Sequence, residues 1–271
     1  MNPEDKTIFI GFGNMGSAIV KAIDKKKCFK HINVIEPDKN KSNNSQTKTI
    51  TFHTNLPTDI NESKYIWLCV KPQSFKNISY DLKQILNPNH VIISIMAGIT
   101  KDQIIKQTNH TKVVRIMPNT PAQISKGISV WNATENIDVS ERNIIEESLN
   151  SFGKSIYVEK EEIINLSTAL SGSGPGFFFR ILESFIIAGY KSGLDKEVSK
   201  KLAIETFIGS AELINLSNSS PQDLRKAVTS PGGTTEAGLN YLENINIDEI
   251  ITQTISEAVN RGNELSKESE K

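Results

Sequence analysis

Three features of the sequence predict an α/β protein, with an amino-terminal Rossmann-type doubly wound sheet followed by an all-helical dimerisation domain. Short apolar runs alternate with amphipathic stretches through the first half, a G-x-G-x-x-G run directly follows the first of them, and strand character ends after Val158. The expected domains are therefore residues 1–158 and 159–271. A chain of 271 residues also exceeds what one compact core usually serves.

In chain order, residues 7–10, 33–35, 65–70, 91–95 and 112–116 read as strands, and their alternation with helical stretches implies a parallel sheet covered on both faces. Residues 73–86 form one helix candidate: Pro72 precedes it and Asn87-Pro88 follows, proline standing where helices start and stop. The polar segment 39–48 (KNKSNNSQTK) is poor in helix formers and reads as a loop, although a doubly wound fold normally has a helix there. Beyond Val158, residues 177–190 are apolar nearly all round, and residues 201–216 align Ala203, Phe207, Ala211 and Ile214 in one stripe. A domain of about 110 residues has little interior for such helices, so they are expected to pack against a second copy of the chain. The last helix, 248–266, puts Ile251, Ile255, Ala258 and Val259 on one face, and its polar tail 267–271 is expected to fray.

Gly11-Phe12-Gly13-Asn14-Met15-Gly16 stands between a strand and the helical pattern 17–23, the setting that makes this motif a dinucleotide loop. Gly11 permits the tight turn, Gly13 lets backbone approach a pyrophosphate, Gly16 lets helix pack on strand, and the helix amino terminus offers amides to the anion. Glu36, at the end of the second strand, is placed to accept hydrogen bonds from adenosine ribose hydroxyls, which favours NADH. Lys39 and Lys41 follow closely and can receive a 2′-phosphate instead. The alternative reading of Glu36 is a solvated strand-end carboxylate. Lys71, with Val70 and Pro72, closes the strand that should reach the nicotinamide, where a solvent-facing lysine fits equally well.

Two further segments are rich in glycine and hydroxyl groups. Ser171-Gly172-Ser173-Gly174-Pro175-Gly176 reads as a flexible loop before the apolar helix, and Thr229-Ser230-Pro231-Gly232-Gly233-Thr234-Thr235 as a loop before a helix over 234–242. The amides of Gly232, Gly233 and Thr234 offer a site for a carboxylate. Plain loops and helix caps account for each segment taken alone.

Other classes of partner are disfavoured. Basic and acidic residues balance at 31 each, which argues against nucleic acid or an anionic membrane. No apolar run approaches the roughly 20 residues that span a bilayer. Residues 6–20 mimic a short signal sequence, but their glycines sit at coenzyme-loop spacing and no cleavage site follows. Cys28 and Cys69 match neither a disulfide framework nor a metal-ligand spacing, so buried thiols, no metal and a cytoplasmic location are expected. His31, His53, His90 and His110 all lie outside the carboxyl-terminal loops, leaving no histidine acid there for a carbonyl substrate.

Taken together, FIGFGNMGSAI, the Val70-Lys71-Pro72 run, SIMAGIT from Ser94, RIMPNTP from Arg115, LSGSGP from Leu170 and TSPGGTTEAGL from Thr229 resemble the pyrroline-5-carboxylate reductases nearly end to end. That resemblance implies NADPH or NADH as coenzyme, hydride transfer to the imine carbon of a small cyclic imine, and a homodimer or a higher homo-oligomer built on dimers. It implies coenzyme contacts at residues 11–16 (Gly11, Phe12, Gly13, Asn14, Met15 and Gly16), Glu36, Asn55, residues 70–72, Ala97, Gly98 and Asn119. It also implies that Thr235 contacts the imine nitrogen, that Ser230, Gly232, Gly233 and Thr234 hold the substrate carboxylate, and that Ser173 and Lys71 border the reacting centre. Two departures stand out: segment 39–48 lacks the family's helix, and Glu36 replaces the small hydroxyl residue of some NADPH-preferring members. An imine arrives protonated more readily than a ketone, so such a site mainly orients it. Rival readings are reduction of another cyclic imine acid, a 3-hydroxyacid dehydrogenase using Lys191, and a dinucleotide-binding sensor or scaffold.

Overall fold

The computed structural model describes residues 4–42 and 47–268. One sheet of eight strands runs in the order β3-β2-β1-β4-β5-β6-β7-β8. Its strands are β1 (Glu4–Ile10), β2 (Phe29–Ile35), β3 (Ile50–His53), β4 (Tyr65–Leu68), β5 (Val91–Ser94), β6 (Val113–Met117), β7 (Gly127–Ala133) and β8 (Gly153–Tyr157). The five expected strands are present. β3, β7 and β8 go beyond the expected pattern; β3 and β8 have partly buried or exposed positions where β4, β5 and β6 are buried throughout.

Every neighbouring pair is parallel except β6 and β7. The five expected strands, β1, β2, β4, β5 and β6, are parallel to one another as expected, and the two added at the end of the sheet, β7 and β8, run opposite to them. Between β6 and β7 the chain makes only a short 3-10 turn, Thr120–Ile124, and a parallel return needs a crossover of a dozen residues or more.

Strand periodicity sorts side chains onto two faces. Phe9, Tyr65, Trp67, Val91 and Ile93 join one core with helices α1 (Asn14–Lys26) and α5 (Val139–Asn150), where Phe9 stacks on Trp67 at 5.0 Å. Their neighbours Ile8, Ile10, Ile66, Leu68 and Ile92 face the other way, toward α3 (Phe75–Ile85) and α4 (Lys101–Thr108). Both α4 and α5 start with a capping box, Thr100 with Gln103 and Asp138 with Glu141. Within segment 39–48, residues Lys39–Ser42 form one helical turn, α2, and residues 43–46 lie outside the described residues.

The chain divides into two compact units, one of Met1–Ser173 with Ala258–Lys271 and one of Gly174–Glu257. The long segment of the first unit ends in helix α6 (Glu162–Ser167) and a π-helical turn, Thr168–Gly172. The Ser171 to Gly176 segment is therefore not a loop. The hydroxyls of Thr168 and Ser171 donate back to the carbonyls of Ile164 and Ser167, at 2.6 and 2.8 Å, and Pro175 sits in the first helical turn, where its missing N–H is no loss.

The second unit holds α7 (Gly174–Lys191), α8 (Lys196–Leu216), α9 (Pro221–Ala227), α10 (Thr234–Asn244) and the first half of α11 (Ile247–Glu268). α7 and α8 form a hairpin. The Ser199 hydroxyl donates to the Ile186 carbonyl at 2.6 Å, and Phe207 packs edge-on against Phe178 at 6.4 Å. Among the described residues, Gly174 and Ser199 are the buried ones of this unit. The tail expected to fray begins inside α11, and residues 269–271 lie outside the described residues.

Candidate functional site

The carboxyl ends of β1, β2, β4, β5 and β6 share one edge of the sheet, with the order of connection reversing between β1 and β4. Open α/β sheets bind ligands at such a switch point. Gly11 follows β1 there with φ +102°, and a Cβ on it would lie 2.7 Å from the Cys69 carbonyl at the end of β4. Its N–H donates to the Ile35 carbonyl at 2.9 Å. Gly13, the N-cap of α1, has open space where a side chain would stand, whereas a Cβ on Gly16 would press within 2.6 Å of the Gly11 carbonyl. The three glycines thus make the turn, the open approach and the helix contact. Neither a side-chain cap nor an acidic residue occupies the first turn of α1, so its amides suit a pyrophosphate. These features fit a dinucleotide.

Other residues of the loop divide by surroundings. Asn14 is exposed, Met15 is partly buried against the core, and the Phe12 ring lies in the core, edge-on to Phe52 at 4.9 Å. The Phe12 N–H donates to Glu36 at 3.0 Å. Glu36 is buried, accepts a second bond from the Asp38 N–H at 3.1 Å, and pairs with Lys41 at 3.3 Å. Neither partner is a free group: the carboxylate braces the glycine loop, and Lys41 offsets its charge. Asn55 is exposed just past β3.

Farther along the same edge come Val70, exposed Lys71 and Pro72, which opens a 3-10 turn. Ala97 is exposed beside Gly98, whose φ of +75° turns the chain from β5 toward α4. Asn119 is buried; its carboxamide oxygen accepts from the Ile128 N–H at 2.9 Å, so the NH2 is the group it can offer a ligand. Burial pushes the Cys28 thiol up to about 11, and Cys69 higher still, so neither is poised as a nucleophile.

In the second unit, the α9 to α10 loop carries Ser230, Gly232 and Gly233, and α10 opens with Thr234 and Thr235. Gly232 has φ +71° with open space around it. Its N–H donates to the Glu236 carboxylate at 2.8 Å, and the Gly233 N–H donates to the Ser230 carbonyl at 2.9 Å. Two of the three amides expected for a carboxylate are thus engaged. The first-turn amides of Thr234 and Thr235 have no intrahelical acceptor, and both threonines are exposed. Glu236 escapes a reading of the sequence for ligand groups, although an acidic side chain in the first turn of a helix is a readable sign of such a contact. Ser173 closes the π-helical turn of the first unit, its N–H donating to Thr168 at 2.8 Å.

Comparison with known proteins gives two family matches: pyrroline-5-carboxylate reductase dimerisation over residues 161–265, and NADP oxidoreductase coenzyme F420-dependent over residues 6–98. The pyrroline-5-carboxylate reductase of Staphylococcus haemolyticus is 33% identical over 269 residues, 97% of this chain and 98% of that one. A solved pyrroline-5-carboxylate reductase from Coxiella burnetii superposes with a TM-score of 0.90 at 33% identity, covering 98% of this chain and 99% of that one. The Plasmodium falciparum pyrroline carboxylate reductase with NADP bound gives 0.84 at 26% identity, over 98% and 100% of the two chains. With glycine-loop geometry and near full-length identity in agreement, the chain belongs to the pyrroline-5-carboxylate reductase family.

Proposed function

We infer that this protein reduces 1-pyrroline-5-carboxylate to L-proline with NADPH or NADH, the last step of proline biosynthesis, as a cytoplasmic homodimer or an oligomer built on dimers. The observation that carries the reading is the open Gly13 backbone at an uncapped helix start, in a chain 33% identical to named reductases across nearly its whole length.

When bound, the coenzyme supplies a hydride for the imine carbon. The C=N π electrons then settle on nitrogen, and an imine that arrives protonated leaves as the secondary amine. Gly11, Gly13, Gly16 and the first-turn amides of α1 hold the pyrophosphate, and Glu36 and Asn55 lie toward the adenosine ribose. Val70, Lys71, Pro72, Ala97, Gly98 and Asn119 border the nicotinamide. Thr235 is assigned to the imine nitrogen, with its neighbours Ser230, Gly232, Gly233 and Thr234 at the carboxylate, and Ser173 and Lys71 flanking the reacting centre. Glu236, already on the Gly232 N–H, must yield that amide if the substrate carboxylate is to take it.

The exposed Phe179, Phe185 and Leu213 support pairing with a second copy. The free thiols Cys28 and Cys69 are compatible with a reducing compartment. Steady-state coenzyme oxidation with the five-membered imine acid, a six-membered imine acid and a 3-oxo acid tests the reading. Preference for the five-membered ring supports it; coenzyme binding without turnover on that substrate overturns it.

A further inference from the structure

Strand β6 is buried on both faces and reads Val-Val-Arg-Ile-Met, so it holds an arginine where only apolar residues are expected. Arg115 is 1% exposed. A buried guanidinium is tolerated only when paired, and apolar residues of similar volume often serve stability as well or better. Stability alone therefore gives a weak reason for this residue.

Its partners give a stronger one. Nη1 donates to Glu161 Oε1 at 3.0 Å and Nη2 donates to Asn165 Oδ1 at 2.9 Å, partners one helical turn apart at the start of α6. The same Glu161 oxygen accepts the backbone N–H of Lys101 at 2.9 Å. Lys101 opens α4 immediately after the turn formed by Ala97, Gly98, Ile99 and Thr100, and its ammonium group donates to the Ala133 carbonyl at 3.2 Å. The other end of that turn is tied as well. In the sheet register Arg115 lies beside Ser94, whose hydroxyl accepts the Met96 N–H at 3.2 Å. One arginine thus stands between the strand that enters the turn and the carboxylate that holds its exit. Asn119 lies four residues along the same chain.

We propose that Arg115 is a positioning residue for hydride transfer, acting through Glu161 to fix the turn of residues 97–100 against the nicotinamide. The proposal rests on the reading of this sheet edge as the coenzyme site. The Arg115-Glu161 pair touches neither coenzyme nor substrate in this scheme. It removes slack from the backbone that does, and misplacement of about 1 Å at a reacting centre can lower turnover by about 100-fold.

The test compares Arg115→Met, Arg115→Lys and Glu161→Ala for turnover, for the primary isotope effect with 4-deuterated coenzyme, and for binding of ADP-ribose and its 2′-phosphate. Those fragments engage the glycine loop and lack the nicotinamide. The expected result is a loss of kcat of tenfold or more in Arg115→Met, with a larger isotope effect and fragment affinity within about twofold of the unsubstituted protein. Partial recovery of kcat is expected in Arg115→Lys. Unchanged kcat and isotope effect in Arg115→Met would overturn the proposal, as would fragment binding that falls in parallel with kcat. Should Arg115→Met fail to fold, Arg115→Lys, which keeps a cation for Glu161, gives the decision through the same readouts: a smaller loss of kcat with a raised isotope effect is expected, and unchanged kcat and isotope effect would overturn the proposal. If the unsubstituted protein itself does not reduce the imine, the functional reading fails. The proposal then stands or falls on whether Arg115→Met weakens whole coenzyme about tenfold more than ADP-ribose.

Discussion

In the sheet-bearing unit Phe9, Trp67, Tyr65 and Ile93 are at most 1% exposed, whereas in the helical unit Phe179, Phe185 and Tyr241 are 62%, 62% and 67% exposed. Aromatic side chains drive burial equally in both places, so the contrast lies in what each unit can cover with its own elements. A sheet with helices on two faces closes its core within one chain. The α7-α8 hairpin sets Phe178 edge-on to Phe207, yet even Phe178 stays 57% exposed, and the apolar faces around it are open. The family match to a dimerisation module over residues 161–265 fits that surplus. In the proposed scheme the coenzyme contacts fall in the sheet-bearing unit, and the loop assigned to substrate falls in the unit whose apolar faces are left open.

The largest expected effect comes from setting the two units apart. Phe179→Glu places a charge on an open apolar face, and loss of a central aromatic at an interface commonly costs about 2 kcal/mol or more. Light scattering should report a monomer with activity lost and fragment coenzyme binding kept. An assembly of unchanged mass would remove Phe179 from the interface. Phe207 is a poorer probe than its place in the apolar stripe suggests, because its ring is engaged with Phe178.

Next in size is Thr235→Ala. A hydrogen bond to a charged group contributes roughly 1.5–3 kcal/mol, so kcat/KM should fall by about 10- to 150-fold with little change in coenzyme affinity. Full turnover would return Thr235 to a helix-start residue. Glu36→Ser should act on the other unit and more weakly, moving preference toward NADPH by about tenfold through loss of one charged contact, read from the kcat/KM ratio of the two coenzymes. The variant also releases Lys41 for a 2′-phosphate, which acts in the same direction; no shift would strip Glu36 of its selector role.

The smallest effect is on stability. Burial holds both His90 and His110 below the ordinary histidine value of 6.5; His110 donates to the His90 carbonyl at 2.7 Å. Their folded-state values are lowered, so the unfolded chain binds more protons. Stability is complete above about pH 6.5 and declines as pH falls below it. The melting temperature should drop as pH falls below about 6.5, and His110→Gln should flatten that slope. An unchanged slope would place the acid sensitivity elsewhere.

Legibility in the sequence follows how local each feature is. The glycine loop is readable because each glycine answers a backbone requirement within six residues. The two-face alternation of β1, β4 and β5 is carried by consecutive apolar residues. By contrast, the reversal of β7 depends on the geometry of a short connector after Asn119, and the π-helical turn at Thr168–Gly172 depends on hydroxyls bonding back to carbonyls. Composition alone reads that second stretch as a flexible loop. Lys41 on Glu36 and Glu161 on Arg115 are side-chain pairings that no spacing rule announces, whereas Glu236 on the Gly232 N–H has a readable sign, an acidic residue in the first turn of α10.

Hydride destination is the most direct test of the account. Reduction of 1-pyrroline-5-carboxylate with coenzyme carrying deuterium at both C4 positions of the nicotinamide, followed by mass and NMR analysis of the product, locates the transferred atom. L-proline with one deuterium at C5, the former imine carbon and the ring carbon beside nitrogen that does not bear the carboxylate, is the expected product. Proline without deuterium there, or no proline formed while coenzyme binds, would contradict it.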